Sequence, residues 1–187
     1  MSSALLILLA AVNPVAVAAE LGGRVDRRVL AAALAATAVL SVVCAAASEA
    51  LLDVLSVTAP TFRVAAGAVL LLASARWVAL GPRRLPPEDA LVRRPDRGDP
   101  SRWSGLVVPV LVPVLVSPQL VMAAVSVGAD DGVVAVAVGA GVALGLSGVA
   151  TLLHRGRPGL WAIAVRFTGL PAAAVAVGTI VDGVKSG

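Results

Sequence analysis

The chain has no tyrosine, one cysteine and one histidine, and aromatic residues make up only 3% of its 187 positions. Each scarcity removes a kind of chemistry. Cys44 alone closes no disulfide within the chain, and one Cys with one His gives no metal-ligand spacing, so neither a metal nor a cofactor is expected. His154 stands beside Arg155 at the end of an apolar run. No Ser/His/Asp or Cys/His arrangement can be assembled around it, and no enzyme is expected. Charge is scarce as well: 14% of residues are charged, against about 25% in soluble domains. Basic residues nowhere interleave with aromatics, so nucleic acid is not an expected partner. With no tyrosine and few tryptophans, the membrane interfaces lack the aromatic belts that usually mark them.

What the chain does have is apolar length. Hydrophobic residues make up 59% of it and mean hydropathy is +0.97, the composition of an integral membrane protein. Six apolar stretches alternate with short polar turns: Ser3 to Ala19, Val29 to Ser48, Thr61 to Leu80, Ser104 to Val127, Val133 to Leu153 and Gly159 to Val181. Each is long enough to cross a bilayer as a helix. The expected fold is an all-α membrane protein of six transmembrane helices. Glu20 to Arg28 reads as a charged turn, the segment around Asp53 as a partly buried loop, and Gly128 to Gly132 as a tight turn. Residues 81–103 hold five prolines among Arg, Glu and Asp and read as a polar linker. It separates residues 1–80 from residues 104–187. The N-terminal run from Leu5 to Leu9, followed by Ala16-Val17-Ala18, has the outline of a signal peptide. No Lys or Arg precedes it, and cleavage is not expected.

Orientation follows from the arginines. Arg24, Arg27, Arg28, Arg83, Arg84, Arg93, Arg94, Arg97, Arg102, Arg155 and Arg157 all fall on one side, with only Lys185 opposite. This predicts a multi-pass plasma-membrane protein with both termini outside and the linker in the cytoplasm. Arg76 then reads as a cytoplasmic anchor.

Proline supplies the sharpest signal. Asn13-Pro14 lies inside the first stretch, and Ser117-Pro118-Gln119 lies inside the fourth, which also carries Pro109 and Pro113. A proline removes a helix hydrogen bond, and in lipid the freed groups need partners from protein or water. Pro14 and Pro118 are separated by 104 residues, and Arg63 and Arg166 by 103. Three spans per half invert the second half. The pattern predicts two inverted three-helix repeats, with helices 1 and 4 broken at proline, and a two-fold site where the breaks share a cavity.

These residues also carry a resemblance. The chain resembles the MarC family of bacterial inner-membrane proteins in Val12-Asn13-Pro14, in Ser56-Val57-Thr58-Ala59-Pro60-Thr61-Phe62-Arg63-Val64-Ala65 leading to Gly67 and Leu70-Leu71-Leu72, in Pro109, Pro113 and Pro118, and in Gly169-Leu170. The resemblance implies a bacterial plasma-membrane location and, for some members, transport of small neutral amino acids. The chain departs from the family pattern at Val15-Ala16-Val17-Ala18, where glycines and a further proline are usual. It departs again at Ser117 and Gln119, where glycines flank the proline.

The candidate substrate-binding residues are therefore Asn13, Pro14, Ser117, Pro118, Gln119, Arg63 and Arg166. Asn13 offers both a donor and an acceptor, to a solute or to freed backbone. Arg63 and Arg166 could hold a substrate carboxylate, act as gate charges between the halves, or bond carbonyls at a helix end. Glu49 and Asp53 are the carboxylates expected near Arg63, and no acid is expected deep in a span. Small residues at Ala33, Thr37, Ser41 and Ala45, and at Ala137, Gly141 and Gly145, allow close helix approach, within the chain or between copies in a homo-oligomer. The expected partners are the lipid bilayer and a small solute. The leading function is a secondary transporter of small polar or zwitterionic solutes by alternating access. A non-transporting membrane scaffold and an ion channel are the alternatives.

Overall fold

A computed structural model describes residues 2–21, 27–82, 116–154 and 158–187. All its regular structure there is helical: α1 (Ser2–Val12), α2 (Pro14–Leu21), α3 (Arg27–Ala46), α4 (Ser48–Leu55), α5 (Ala59–Leu80), α6 (Pro118–Asp131), α7 (Val133–Leu153) and α8 (Pro158–Ser186). Five segments are long and apolar enough to cross a membrane: α1 with α2, then α3, α5, α7 and α8. The expected fourth span is described only from Val116 onward, so Pro109, Pro113 and most of the linker lie outside the described residues.

Several local expectations change. Glu20 belongs to α2 and is buried, not part of a turn. The helix runs to Leu21, just before Gly22-Gly23. The segment around Asp53 is not a loop but the helix α4, closed by Ser56 at φ 53°. α5 then starts at a Thr58 cap with Pro60 in its first turn, where a missing N–H costs nothing. Asp130 and Asp131 end α6, and the tight turn shrinks to Gly132, whose φ of 83° suits a residue without Cβ.

Many small residues face inward, beside Leu8, Leu21, Leu70 and Leu120, while many large apolar ones face outward. Leu72, Val134 and Phe167 are each more than two-thirds exposed, whereas Ala33, Thr37, Ser41, Ala45, Ala140, Ala143 and Ser147 are buried. Lipid is as apolar as leucine, so burying leucine gains little; close packing of small side chains holds membrane helices together instead. The buried hydroxyls bond to carbonyls one turn back, as in Thr37 to Ala33 (2.8 Å), Ser74 to Leu70 (2.8 Å) and Thr151 to Ser147 (2.7 Å). Gly141 and Gly145 do not serve this packing. A Cβ on either would meet nothing within 4 Å, whereas one on Gly139 would meet Leu8 Cδ1 at 2.6 Å.

The central seam is the antiparallel pair α5 and α8. A Cβ on Gly67 would lie 3.0 Å from the Ala176 carbonyl and 2.7 Å from Ile180. One on Gly169 would lie 3.2 Å from the Ser74 carbonyl and 2.8 Å from Val78. Adding 102 to the first set of residue numbers, and subtracting it from their partners, gives the second set. Around this seam α2 packs on α7 and α8, while α6 packs on α3 and α5. The buried positions of α3 (33, 37, 41, 45) recur in α7 at 136, 140, 144 and 148.

Candidate functional site

The first break is made by Asn13. Its φ is 44°, a left-handed conformation that asparagine tolerates better than most residues. The Asn13 N–H donates to the Leu9 carbonyl at 2.9 Å, ending α1, and its carbonyl accepts from Val17 N–H at 3.1 Å, starting α2. Its side-chain Oδ1 accepts from Ala16 N–H at 3.3 Å, a capping bond. Pro14 takes the first helical position, where no N–H is required. The Thr168 hydroxyl, from α8, reaches the same Oδ1 at 3.2 Å. Asn13 is 4% exposed, and its Nδ2 has no hydrogen-bond partner. An orphan donor of this kind costs about 1–3 kcal/mol. The oxygen is thus committed to the break, and the amide nitrogen is left to donate.

Asn13 and Pro14 line a cavity of about 240 Å³ together with Leu6, Leu9, Thr168, Pro171 and Val175. The second proline has its own cavity, of about 250 Å³. Pro118 and Gln119 line it with Glu20, Val69, Arg76 and Trp77. Ser117, buried and extended, caps α6: its carbonyl accepts from Leu120 and Val121 N–H at 3.0 and 3.2 Å. Pro118 sits at the first position of α6 as Pro14 does in α2. Among the described residues, Pro14 and Pro118 line separate cavities. Val12, Ala16 and Val17, which flank the first break, also line the Pro118 cavity. The α1–α2 junction is therefore the wall between the two spaces.

Arg63 and Arg166 line neither of these cavities. Arg63 forms an ion pair with Asp130, its Nε 2.8 Å from the carboxylate. Asp130 takes the place expected of Glu49 or Asp53, because the end of α6 returns to the start of α5. Arg166 is exposed, and its Nε lies 3.7 Å from where a Cβ on Gly81 would stand.

The MarC family integral membrane protein model matches residues 2–187, essentially the whole chain. The chain belongs to the MarC family. No curated protein and no solved structure matches it.

In this MarC family member the sequence picked out both prolines that start helices beside the cavities but missed Thr168, Glu20 and Arg76 as cavity residues. Thr168 carries no local signal beyond a hydroxyl in an apolar span. Glu20 does carry one. It precedes Gly22-Gly23, and glycine just past a helix end is a common stop signal, so Glu20 could have been placed inside the helix. Arg76 lines the Pro118 cavity and is half-buried.

Proposed function

We propose that this protein is a secondary carrier of the bacterial plasma membrane, built from two inverted three-span halves, that moves a small polar or zwitterionic solute by alternating access. One observation carries the reading: each half opens a proline-started helix onto a cavity walled by the last span of the other half. Pro14 and Val15 face Ala172 and Val175 of α8, and Pro118 and Gln119 face Val69 and Leu72 of α5. The residues in the second group follow their counterparts by 104 at the breaks, and those in α8 follow those in α5 by 103. The matched glycine contacts of the α5–α8 seam and the recurring burial of α3 in α7 support the same two-fold relation.

Two cavities separated by a broken helix suit alternating access. Discontinuous helices expose N–H groups and carbonyls at mid-membrane, where a solute can meet them. The free Nδ2 of Asn13 adds a donor for a carboxylate or carbonyl oxygen. The Arg63–Asp130 pair ties the start of α5 to the end of α6 and serves as a gate contact between halves. Neutral amino acids are the solute class that the family resemblance implies, and the arginine distribution supports a cytoplasmic linker. A carrier of this kind performs no covalent chemistry and uses no cofactor.

The test is flux in reconstituted vesicles. Asn13→Gly keeps the left-handed backbone at no steric cost and removes only the side chain. It is expected to lower saturable uptake at least tenfold, with circular dichroism and elution volume unchanged. If the wild type gives neither saturable flux nor a thermal shift across a panel of neutral amino acids, the carrier reading fails in favour of a non-transporting scaffold. Single-channel currents would point to an ion channel.

A further inference from the structure

We infer that the Asn13 cavity binds a small uncharged molecule dissolved in the bilayer, mostly hydrocarbon with one carbonyl oxygen, which accepts a hydrogen bond from Asn13 Nδ2. The orientation of the amide is fixed by its neighbours. Ala16 N–H can only donate, so the side-chain atom it meets at 3.3 Å is the oxygen, and the other end of the amide is the NH2 group. That oxygen also receives the Thr168 hydroxyl at 3.2 Å, and the same hydroxyl reaches the Val165 carbonyl at 3.1 Å. Asn13 is therefore held in one orientation. Its Nδ2 is left without a partner among the described residues, in a side chain that lines the cavity and is 4% exposed. A buried donor in a membrane span needs an acceptor, because the lipid core offers none.

Walls, depth and size narrow the ligand. No charged residue lines the cavity, and beyond Asn13 and Thr168 its walls are apolar. Of the two acceptors that suit Nδ2, such walls favour an uncharged carbonyl, because a carboxylate would lose its water and meet no counter-ion. A second polar group on the ligand would likewise go unmet. Leu6 and Pro171 line the cavity and are exposed, and Phe167 and Leu170 beside them on α8 are exposed too, so the cavity opens onto the lipid-facing surface. Asn13 lies ten residues from Ser3 and eight from Leu21, the ends of the first span, which puts it about 12–15 Å from either end at about 1.5 Å per residue. Phospholipid ester carbonyls sit at the edge of a hydrocarbon core about 30 Å thick and do not reach that depth, while the acyl chains that do carry no acceptor. A molecule free within the core brings its own oxygen there. A volume of about 240 Å³ equals roughly eight waters at about 30 Å³ each, so the ligand has about eight non-hydrogen atoms at most. The inference concerns binding and does not rest on the carrier reading.

The experiment places the full chain in lipid nanodiscs and titrates in 2-heptanone labelled with carbon-13 at the carbonyl, read by isotope-edited infrared spectroscopy. A carbonyl that accepts a hydrogen bond absorbs at lower frequency than one dissolved in lipid. Wild type is expected to show a saturable low-frequency band. Unlabelled 2-heptanone should displace it at least tenfold better than heptane, which has the shape without the oxygen. Asn13→Gly removes the donor and should abolish the band. Val175→Phe fills the cavity with Asn13 in place and should also abolish it, which covers the case of an Asn13 variant that does not fold. Gly141→Leu, far from the cavity lining, should keep the band. No low-frequency band in the wild type, a band that survives Asn13→Gly or Val175→Phe, or equal displacement by heptane overturns the site. If the band behaves as expected and no amino acid flux is seen, the site stands and the carrier reading fails. If Asn13→Gly lowers saturable flux and the wild type shows no band, the carrier stands and the site fails.

Discussion

The two cavities are alike in construction and unlike in chemistry. Each lies where a proline-started helix meets the middle of a long span from the other half. The Asn13 cavity is almost wholly apolar, with Asn13 and Thr168 as its polar members. The Pro118 cavity holds Glu20, Arg76, Gln119 and the indole of Trp77. The sequence explains the difference at matched positions. Gln119 stands where the first half has Val15, Glu20 where the second has Ala124, and Arg76 where the second has Thr179 at the 103-residue offset of the cavity walls. Backbone architecture recurs between the halves while polarity is placed in only one of them. Charge is concentrated in the Pro118 cavity, and Asn13 is the main polar group of the other.

The largest expected effect comes from the α5–α8 seam, whose two helices each line one of the cavities. Gly67→Leu would drive a side chain into Ile180 and the Ala176 carbonyl. Overpacking of this kind costs about 1–3 kcal/mol, sometimes more. The variant should melt several degrees lower. Gly141→Leu, which points into open space, should leave melting within about 0.5 kcal/mol of wild type. Equal melting of the two variants would mean that the α5–α8 seam is not tightly packed.

A smaller effect separates the cavities. Thr168→Val removes the hydroxyl that reaches Asn13 Oδ1 while nearly keeping volume. A lost buried hydrogen bond is worth about 0.5–1.5 kcal/mol, so flux should fall two- to tenfold. Flux unchanged in Thr168→Val would mean that this hydroxyl does not position Asn13.

The smallest effect belongs to Arg63. Its pair with Asp130 is partly exposed, each side chain retaining 23% of its surface, and such pairs contribute about 0–1 kcal/mol. Arg63→Gln should shift melting little. As a gate contact it should instead change the flux ratio between the two directions, and the exchange Arg63→Asp with Asp130→Arg should restore that ratio. A ratio unchanged by Arg63→Gln would make the pair purely structural.

The helices and the first proline break were legible because their causes are local. Hydropathy over some twenty residues decides what enters lipid, and Pro14 cannot supply the N–H that a continuous helix needs, whatever surrounds it. The inward face of α3 was legible for a similar reason: Ala33, Thr37, Ser41 and Ala45 repeat at helical spacing and are all buried. The same pattern does not mark packing within the chain at Gly141 and Gly145, because small residues can face outward as well as inward and their spacing does not tell which. Arg63 and Arg166 also look equivalent by number. The seam places α8 against α5 at an offset of 102, however, and one residue of difference turns a helical side chain by about 100°. One arginine meets Asp130, and the other lies exposed beside Gly81.

By itself, then, the sequence determined the membrane, five of the expected spans, the family and the position of Asn13-Pro14. Only tertiary structure decided that the two prolines open separate cavities, that Asn13 spends its oxygen on Ala16 and Thr168 and keeps a free donor, and that Glu20 and Arg76 face one space. The physical reason is range. A missing N–H or an apolar run acts within a few residues, while the meeting of charges on α2 and α5 depends on how each helix is rotated about its axis, and contacts from the other half of the chain set that rotation.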